Sequence, residues 1–163
     1  MSAISQDTQP SIGSTNRIFL DTNVYILGSD NRQSDEGQIL QALGFYQKVS
    51  DAPEVIVSQE LLDQISRVAK RLKNKDWSGE LLGRIWQNLN VHYVLINEQA
   101  FIDLEKQSLI PREDIGVYLT AQAGDAELFI SANHKLIRSL VKDTQEFACL
   151  TPAAFVKKYL RKN

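Results

Sequence analysis

The chain has one cysteine in 163 residues, so no disulfide framework can hold it, and a disulfide-built secreted scaffold is not indicated. That residue, Cys149, stands among Phe147, Ala148 and Leu150 and is expected in a buried apolar position. Histidine occurs only twice. His92 lies in an apolar strand pattern and is expected as a satisfied core residue, whereas His134 is expected as an exposed residue or cap at a helix start. There is no His pair, Cys cluster or Gly-rich phosphate loop. No apolar run approaches the ~18 residues that cross a bilayer, so no membrane partner is expected. Neither sign of charge dominates: 18 Lys plus Arg against 20 Asp plus Glu leave −2, and nucleic acid could be held only by a local patch.

What is present, 43% hydrophobic and 23% charged side chains, describes one ordinary globular domain. A domain of this length buries roughly 68–70% of its unfolded surface, enough for a core without metal or disulfide. Residues 1–16 are rich in Ser, Gln and Thr, contain Pro10 and Gly13, lack periodicity and carry no signal-like apolar stretch. They read as a flexible leader before a domain spanning 17–163, with a cytoplasmic location expected.

Short apolar runs alternate with helical periodicity from Arg17 onward. Arg17 to Leu20 predicts a buried strand ending at Asp21, followed by one or two helical turns over Val24 to Leu27 before Gly28. Ile39, Leu40, Leu43 and Phe45/Tyr46 recur at helical spacing until Pro53, and Val55 to Val57 predicts a fully covered strand. Ser58 is a cap for a long helix with Leu61, Leu62, Ile65, Val68 and Leu72 on one face; Ser78 is read as the cap of the next. Val91 to Ile96 predicts a strand, Phe101 to Leu104 a short helix, and Pro111 opens a helix from Arg112 to Ala123 that Gly124 stops. Leu128 to Ser131 is a strand, Lys135 to Val141 a helix, Phe147 to Leu150 a strand and Pro152 to Leu160 a closing helix. This alternation predicts an α/β domain with a central, mainly parallel sheet.

In such a sheet, ligands bind at the carboxyl ends of the strands, which puts Asp21, Ser58 and Asn133 first among candidates. The helices that follow begin at the same edge and add Glu60, Gln64, Glu113 and Asp114. Converging acids there are costly unless a hard cation neutralises them. Asp125 and Glu127 precede a strand and should lie at the opposite edge.

The segment Ile18-Phe19-Leu20-Asp21-Thr22-Asn23-Val24 resembles the opening of a PIN domain, in which a strand delivers the first metal-binding Asp. Val57 to Ile65 is similar to the second block of that family, Asp114 with the helix to Ala123 to its third, and Leu128 to Asn133 to its fourth. The resemblance runs from Arg17 to about Leu160. It implies a three-layer α/β/α fold and a ribonuclease of the toxin–antitoxin type, in which acids hold Mg²⁺ or Mn²⁺ against an RNA phosphodiester. Carried over, Asp21 and Asp114 keep the acids of the family. Its Glu falls on Gln64 and its last Asp on Asn133, while Asn23 and Ser131 match polar positions that orient the acids. Glu60 or the neighbouring Glu113 could lend a further carboxylate, although acids in a helix's first turn are also stabilised by its dipole alone.

Losing two carboxylates is a large change, because unit charges 4 Å apart attract by about 4 kcal/mol at an effective dielectric near 20. Ion binding is therefore expected to be weak or absent. Two functions follow: a metal-dependent endoribonuclease with a weakened or degenerate site, or an inactive PIN-like module that binds RNA or protein. Arg67, Lys70, Arg71, Lys73 and Lys75 form the candidate phosphate-binding face, with Lys157, Lys158, Arg161 and Lys162 as a second patch; on charge pattern alone a solvated helix surface is the favoured reading of both. The resemblance also implies an antitoxin-like or other protein partner, or a homodimer to which Trp77, Leu81 and Trp86 could contribute.

Overall fold

The computed structural model describes residues 12, 15–143 and 146–161. Most of the expected leader and Lys162 lie outside the described residues.

The strands β1 (Arg17–Leu20), β2 (Glu54–Val57), β3 (Val91–Tyr93), β4 (Leu128–Ile130) and β5 (Ala148–Leu150) form a sheet in the order β3-β2-β1-β4-β5. Every pairing is parallel, with Phe19 opposite Ile56 on one side and Phe129 on the other. Ile18, Phe19 and Leu20 are wholly buried because β1 is central and covered on both faces. The Phe19 and Phe129 rings stack at 4.9 Å between centroids, and Phe147 continues the stack at 5.4 Å. Around the sheet run α1 (Thr22–Asp30), α2 (Asp35–Leu43), α3 (Gln59–Leu72), α4 (Lys75–Asn88), α5 (Glu98–Gln107), α6 (Arg112–Ala123), α7 (His134–Asp143) and α8 (Pro152–Phe155), giving three α/β/α layers.

Several boundaries differ from the sequence reading, each for a local reason. Helix α1 passes through Gly28 to Asp30, since a Cβ at Gly28 would stand 2.6 Å from the Leu40 side chain; this glycine permits α1 and α2 to touch rather than ending α1. Helix α2 ends at Gly44, whose φ of 99° is a left-handed cap, so Phe45 and Tyr46 lie beyond it. Asn74, not Ser78, caps α4 by accepting from the Trp77 N–H; Ser78 is buried inside the helix with its hydroxyl toward Ser66. The closing helix divides into α8 and a π-helical turn over Val156–Leu160. The third strand stops at Tyr93, and as an edge strand it leaves His92 only partly buried rather than in the core. Cys149 is likewise half-buried on the other edge strand.

A buried polar chain ties α3 to α6. Ser58 Oγ accepts from the Leu61 N–H at 3.2 Å and meets Thr120 Oγ1 at 2.7 Å, while Thr120 Oγ1 donates to the Gly116 carbonyl at 2.7 Å. Since the Thr120 proton is committed to Gly116, the Ser58 proton goes to Thr120. Both residues are wholly buried, so neither hydroxyl has water as an alternative. Thr120→Val strands the Ser58 donor and should cost about 1–3 kcal/mol in urea unfolding. Thr120→Ser keeps the chain and should lose only one methyl group's worth, about 1 kcal/mol. A valine variant at least as stable as the serine variant would contradict this account.

Candidate functional site

The strand order makes β1 the point where the chain's crossovers diverge: it steps outward to β2 and β3, then returns to β4 on the other side of β1. Crevices in open parallel sheets form at such a point, beyond the carboxyl ends of the two adjacent strands. Asp21 directly follows β1, and Ser131, Ala132 and Asn133 directly follow β4.

Asp21 is 7% exposed and caps α1, its Oδ1 accepting from the Thr22 N–H at 2.8 Å. Its Oδ2 accepts from Ser131 Oγ at 2.7 Å and from Asn23 Nδ2 at 3.3 Å. Ser131 Oγ in turn accepts from Asn23 Nδ2 and from the Asn133 N–H, while Asn23 Oδ1 accepts from the Ala132 N–H at 2.9 Å. The two strand ends are thus bonded into one polar knot. Burial raises the Asp21 carboxyl above its ordinary range, against the lowering effect of these three donors.

Gln64 reaches this knot from α3, its Oε1 accepting a hydrogen bond from Thr22 Oγ1. Asp114, half-buried in the first turn of α6, is close enough to feel Asp21: desolvation first, then the charges of Asp21 and Glu113, push its carboxyl up to about 6. Asn133 is exposed and its Oδ1 accepts from the Leu136 N–H at 3.1 Å, which caps α7. Asp21, Gln64 and Asn133 are therefore linked through a bonded network, and Asp114 is coupled to it electrostatically.

The flanking candidates divide. Glu60, Gln64 and Arg67 line a cavity of about 230 Å³ between α3 and α6, together with Asp63, Phe101, Arg112, Glu113, Gly116 and Val117. Lys70 and Arg71 are exposed further along α3. Lys73 does not extend that face toward the cavity: it pairs with Asp30 of α1 at 2.6 Å and lies over the Trp77 ring. Leu81 is buried, so of the three residues considered for a dimer surface only Trp86 is more than half exposed. Asp125 and Glu127 lie with Arg17 and Glu54 around a separate cavity of about 560 Å³ at the amino ends of the strands. His134 is exposed at the start of α7. The sequence reading missed Thr22, which holds Gln64, although its position next to Asp21 at the crevice edge was the available signal. It also missed Phe101, Arg112 and Gly116, which come to the cavity only through packing of α5 and α6.

The resemblance implies a divalent metal, and the donor chemistry can be tested against that. No group of three or more His, Cys, Asp or Glu side chains stands ready for an ion among the described residues. The oxygens of Gln64 and Asn133 each accept one protein hydrogen bond and bring no charge to an ion. What remains, the two carboxylates of Asp21 and Asp114, fits one hard cation and not a pair.

No protein-family model and no curated protein matches the chain. Among solved structures it is similar to VapBC2 from Rickettsia felis bound to a promoter DNA fragment, at 15% identity over 83% of this chain and 98% of that chain, with a TM-score of 0.54. It is also similar to VapBC-1 from nontypeable Haemophilus influenzae, at 19% identity over 84% of this chain and 98% of that chain, again with a TM-score of 0.54. The fold is PIN-like.

The raised Asp114 carboxyl has a signed consequence for stability. With a folded value of about 6 against 3.8 for the ordinary group, folding favours the protonated form. The charged form therefore destabilises the fold above pH 6, and the penalty fades as pH falls through 6 toward 3.8. In chelator, Asp114→Asn should raise the thermal midpoint at pH 7.5, and the gain should vanish by about pH 4. A gain that does not change with pH would show that the Asp114 charge is not the cause.

Proposed function

We propose that the chain is a PIN-type protein of the toxin–antitoxin class, related in chemistry to metal-dependent endoribonucleases and carrying a site reduced to a weak single-ion centre. What supports this reading is that Asp21 directly follows β1 at the crevice of a PIN-like sheet, held by the turn after β4, and that its charge acts on the Asp114 carboxyl.

Asp21 and Asp114 would hold Mg²⁺ or Mn²⁺, and the bound ion would supply Lewis-acid polarisation of the scissile phosphate and a more acidic water. The side chains do the rest. Ser131 and Asn23 fix the Asp21 carboxylate against rotation, so little ordering remains to be done when an ion or a phosphate arrives. Thr22 fixes Gln64 against the same centre. Arg67, Lys70 and Arg71 offer exposed cations along α3 for neighbouring phosphates.

A second reading, an inactive PIN-like module that binds RNA or protein, is favoured by the engagement of both amide oxygens in structural hydrogen bonds. The two VapBC structures named above are assemblies, which supports an antitoxin-like protein partner in either case. A homodimer using the exposed Trp86 face belongs to the same proposal. None of the described helices is long and apolar enough to cross a membrane, in keeping with the cytoplasmic location proposed.

The test relies on a carboxylate being able to keep the hydrogen bond made at each position. Aspartate caps helices as well as asparagine does, and a carboxylate at position 64 still accepts from Thr22. Calorimetric Mn²⁺ binding should be weak in the natural protein and absent in Asp21→Asn. In Gln64→Glu/Asn133→Asp it should be roughly tenfold tighter or more, given two restored charges. Cleavage of a generic single-stranded RNA should follow the same order. RNA cleavage only after reversion supports the module reading for the natural protein, and no Mn²⁺ binding in any variant overturns the metal site.

A further inference from the structure

The cavity between α3 and α6 shares a wall with the acidic centre. Gln64 is bonded to Thr22 on one side and lines the cavity on the other. Its floor is Gly116, where the atom nearest to an added Cβ would be the Glu60 Cβ at 3.8 Å; a long side chain at 116 would therefore project into the space. Phe101 of α5, partly buried against the core, contributes an aromatic ring. The volume, about 230 Å³, suits one flat ring system rather than a base pair.

The polar groups around it differ in what they are free to do. Gln59 donates to Asp63, and Arg112 pairs with Glu105 at 2.8 Å. Glu60, Glu113 and Arg67 have no such partner among the described residues. Gln64 accepts from Thr22 through its oxygen, and its side-chain nitrogen carries two N–H donors. The cavity thus offers two free carboxylates that only accept, an amide that donates, one unpaired guanidinium and a ring.

We propose that this cavity is a subsite for a single unpaired nucleobase of RNA, with guanine as its preferred occupant. Ionised carboxylates take the side of a base that carries adjacent donors. Guanine presents an N1–H and an exocyclic amino group side by side, with O6 beyond them as an acceptor for an amide or guanidinium. Uracil presents one N–H between two carbonyls, which face the carboxylates unfavourably. Phe101 supplies the stacking surface that single-stranded recognition uses, and Arg67 stands at the mouth for the adjoining phosphate. The subsite rests on the RNA reading above, because it places a base beside the phosphate that Asp21 and Asp114 would serve.

The experiment keeps base recognition separate from chemistry by working without metal. Fluorescein-labelled RNA pentamers with a central G, inosine or U in a common context are titrated with the full chain in chelator, and binding is followed by anisotropy. The G strand should bind about tenfold tighter than the U strand, with inosine between them because it lacks the exocyclic amino group. Gly116→Leu fills the cavity and should abolish the difference. Glu60→Gln/Glu113→Gln keeps the volume and should abolish it too, which guards against a leucine variant that fails to fold. Equal affinities for the three strands, no binding to any of them, or a preference that survives both variants would overturn the subsite. A G preference without metal-dependent cleavage upholds the subsite and counts only against the catalytic reading; cleavage with no preference does the reverse.

Discussion

A buried carboxylate at the end of the central strand organises this molecule. Asp21 sits where water is nearly excluded, and a charge there persists only if donors surround it. The fold supplies three: the first N–H of α1, the Ser131 hydroxyl and the Asn23 amide. Each belongs to a different structural task. The N–H starts a helix, the hydroxyl fixes the turn after β4, and the amide stitches α1 to the backbone of Ala132. Satisfying one charge therefore sets the mutual position of two strand ends and two helix starts, and the residual desolvation still raises the carboxyl's affinity for a proton.

Much of this was legible in the sequence because the relevant signals are local. A three-residue apolar run needs cover on both faces, so Ile18 to Leu20 and Val55 to Val57 announced buried parallel strands. Order along the chain then placed Asp21 and Asn133 at the carboxyl edge. The misreadings have one common source, which is that capping and glycine signals are ambiguous without a partner helix. Ser78 resembles a cap but is buried against Ser66, whereas Asn74, four residues earlier, accepts from the Trp77 N–H in the first turn. Gly28 resembles a stop but is a contact surface for Leu40. His92 looked like core because its neighbours are apolar; nothing local says that β3 is an edge.

The two amides at the positions where the family resemblance implies carboxylates have structural employment. Asn133 Oδ1 holds the first turn of α7, and Gln64 Oε1 holds the Thr22 hydroxyl. A carboxylate in either place could accept the same hydrogen bond, so these bonds do not by themselves require an amide. What the amides change is the field. With acids at all four positions, each would raise the others' proton affinity as Asp21 already does for Asp114. Neutral amides at two of them avoid that repulsion in the ion-free protein and, by the same sum, offer less attraction to a cation.

This leaves the neighbouring cavity as the place where selectivity can reside. Helices α3 and α6 are locked by the Ser58–Thr120 chain just below it, so its width is set by a buried bond and not by its own lining. The residues that face the opening can therefore vary in chemistry without loosening the walls. Glu60 and Glu113 lie in the first turns of their helices, where the dipole favours their charge. Neither carboxylate can donate a hydrogen bond to a phosphate oxygen. Arg67, a turn beyond Gln64 on the same helix, has the opposite preference. In the proposed subsite, a strand of RNA would meet anion-repelling groups in the cavity and the exposed Arg67 beside them. The orientation that satisfies both turns a base inward and keeps the phosphate outside.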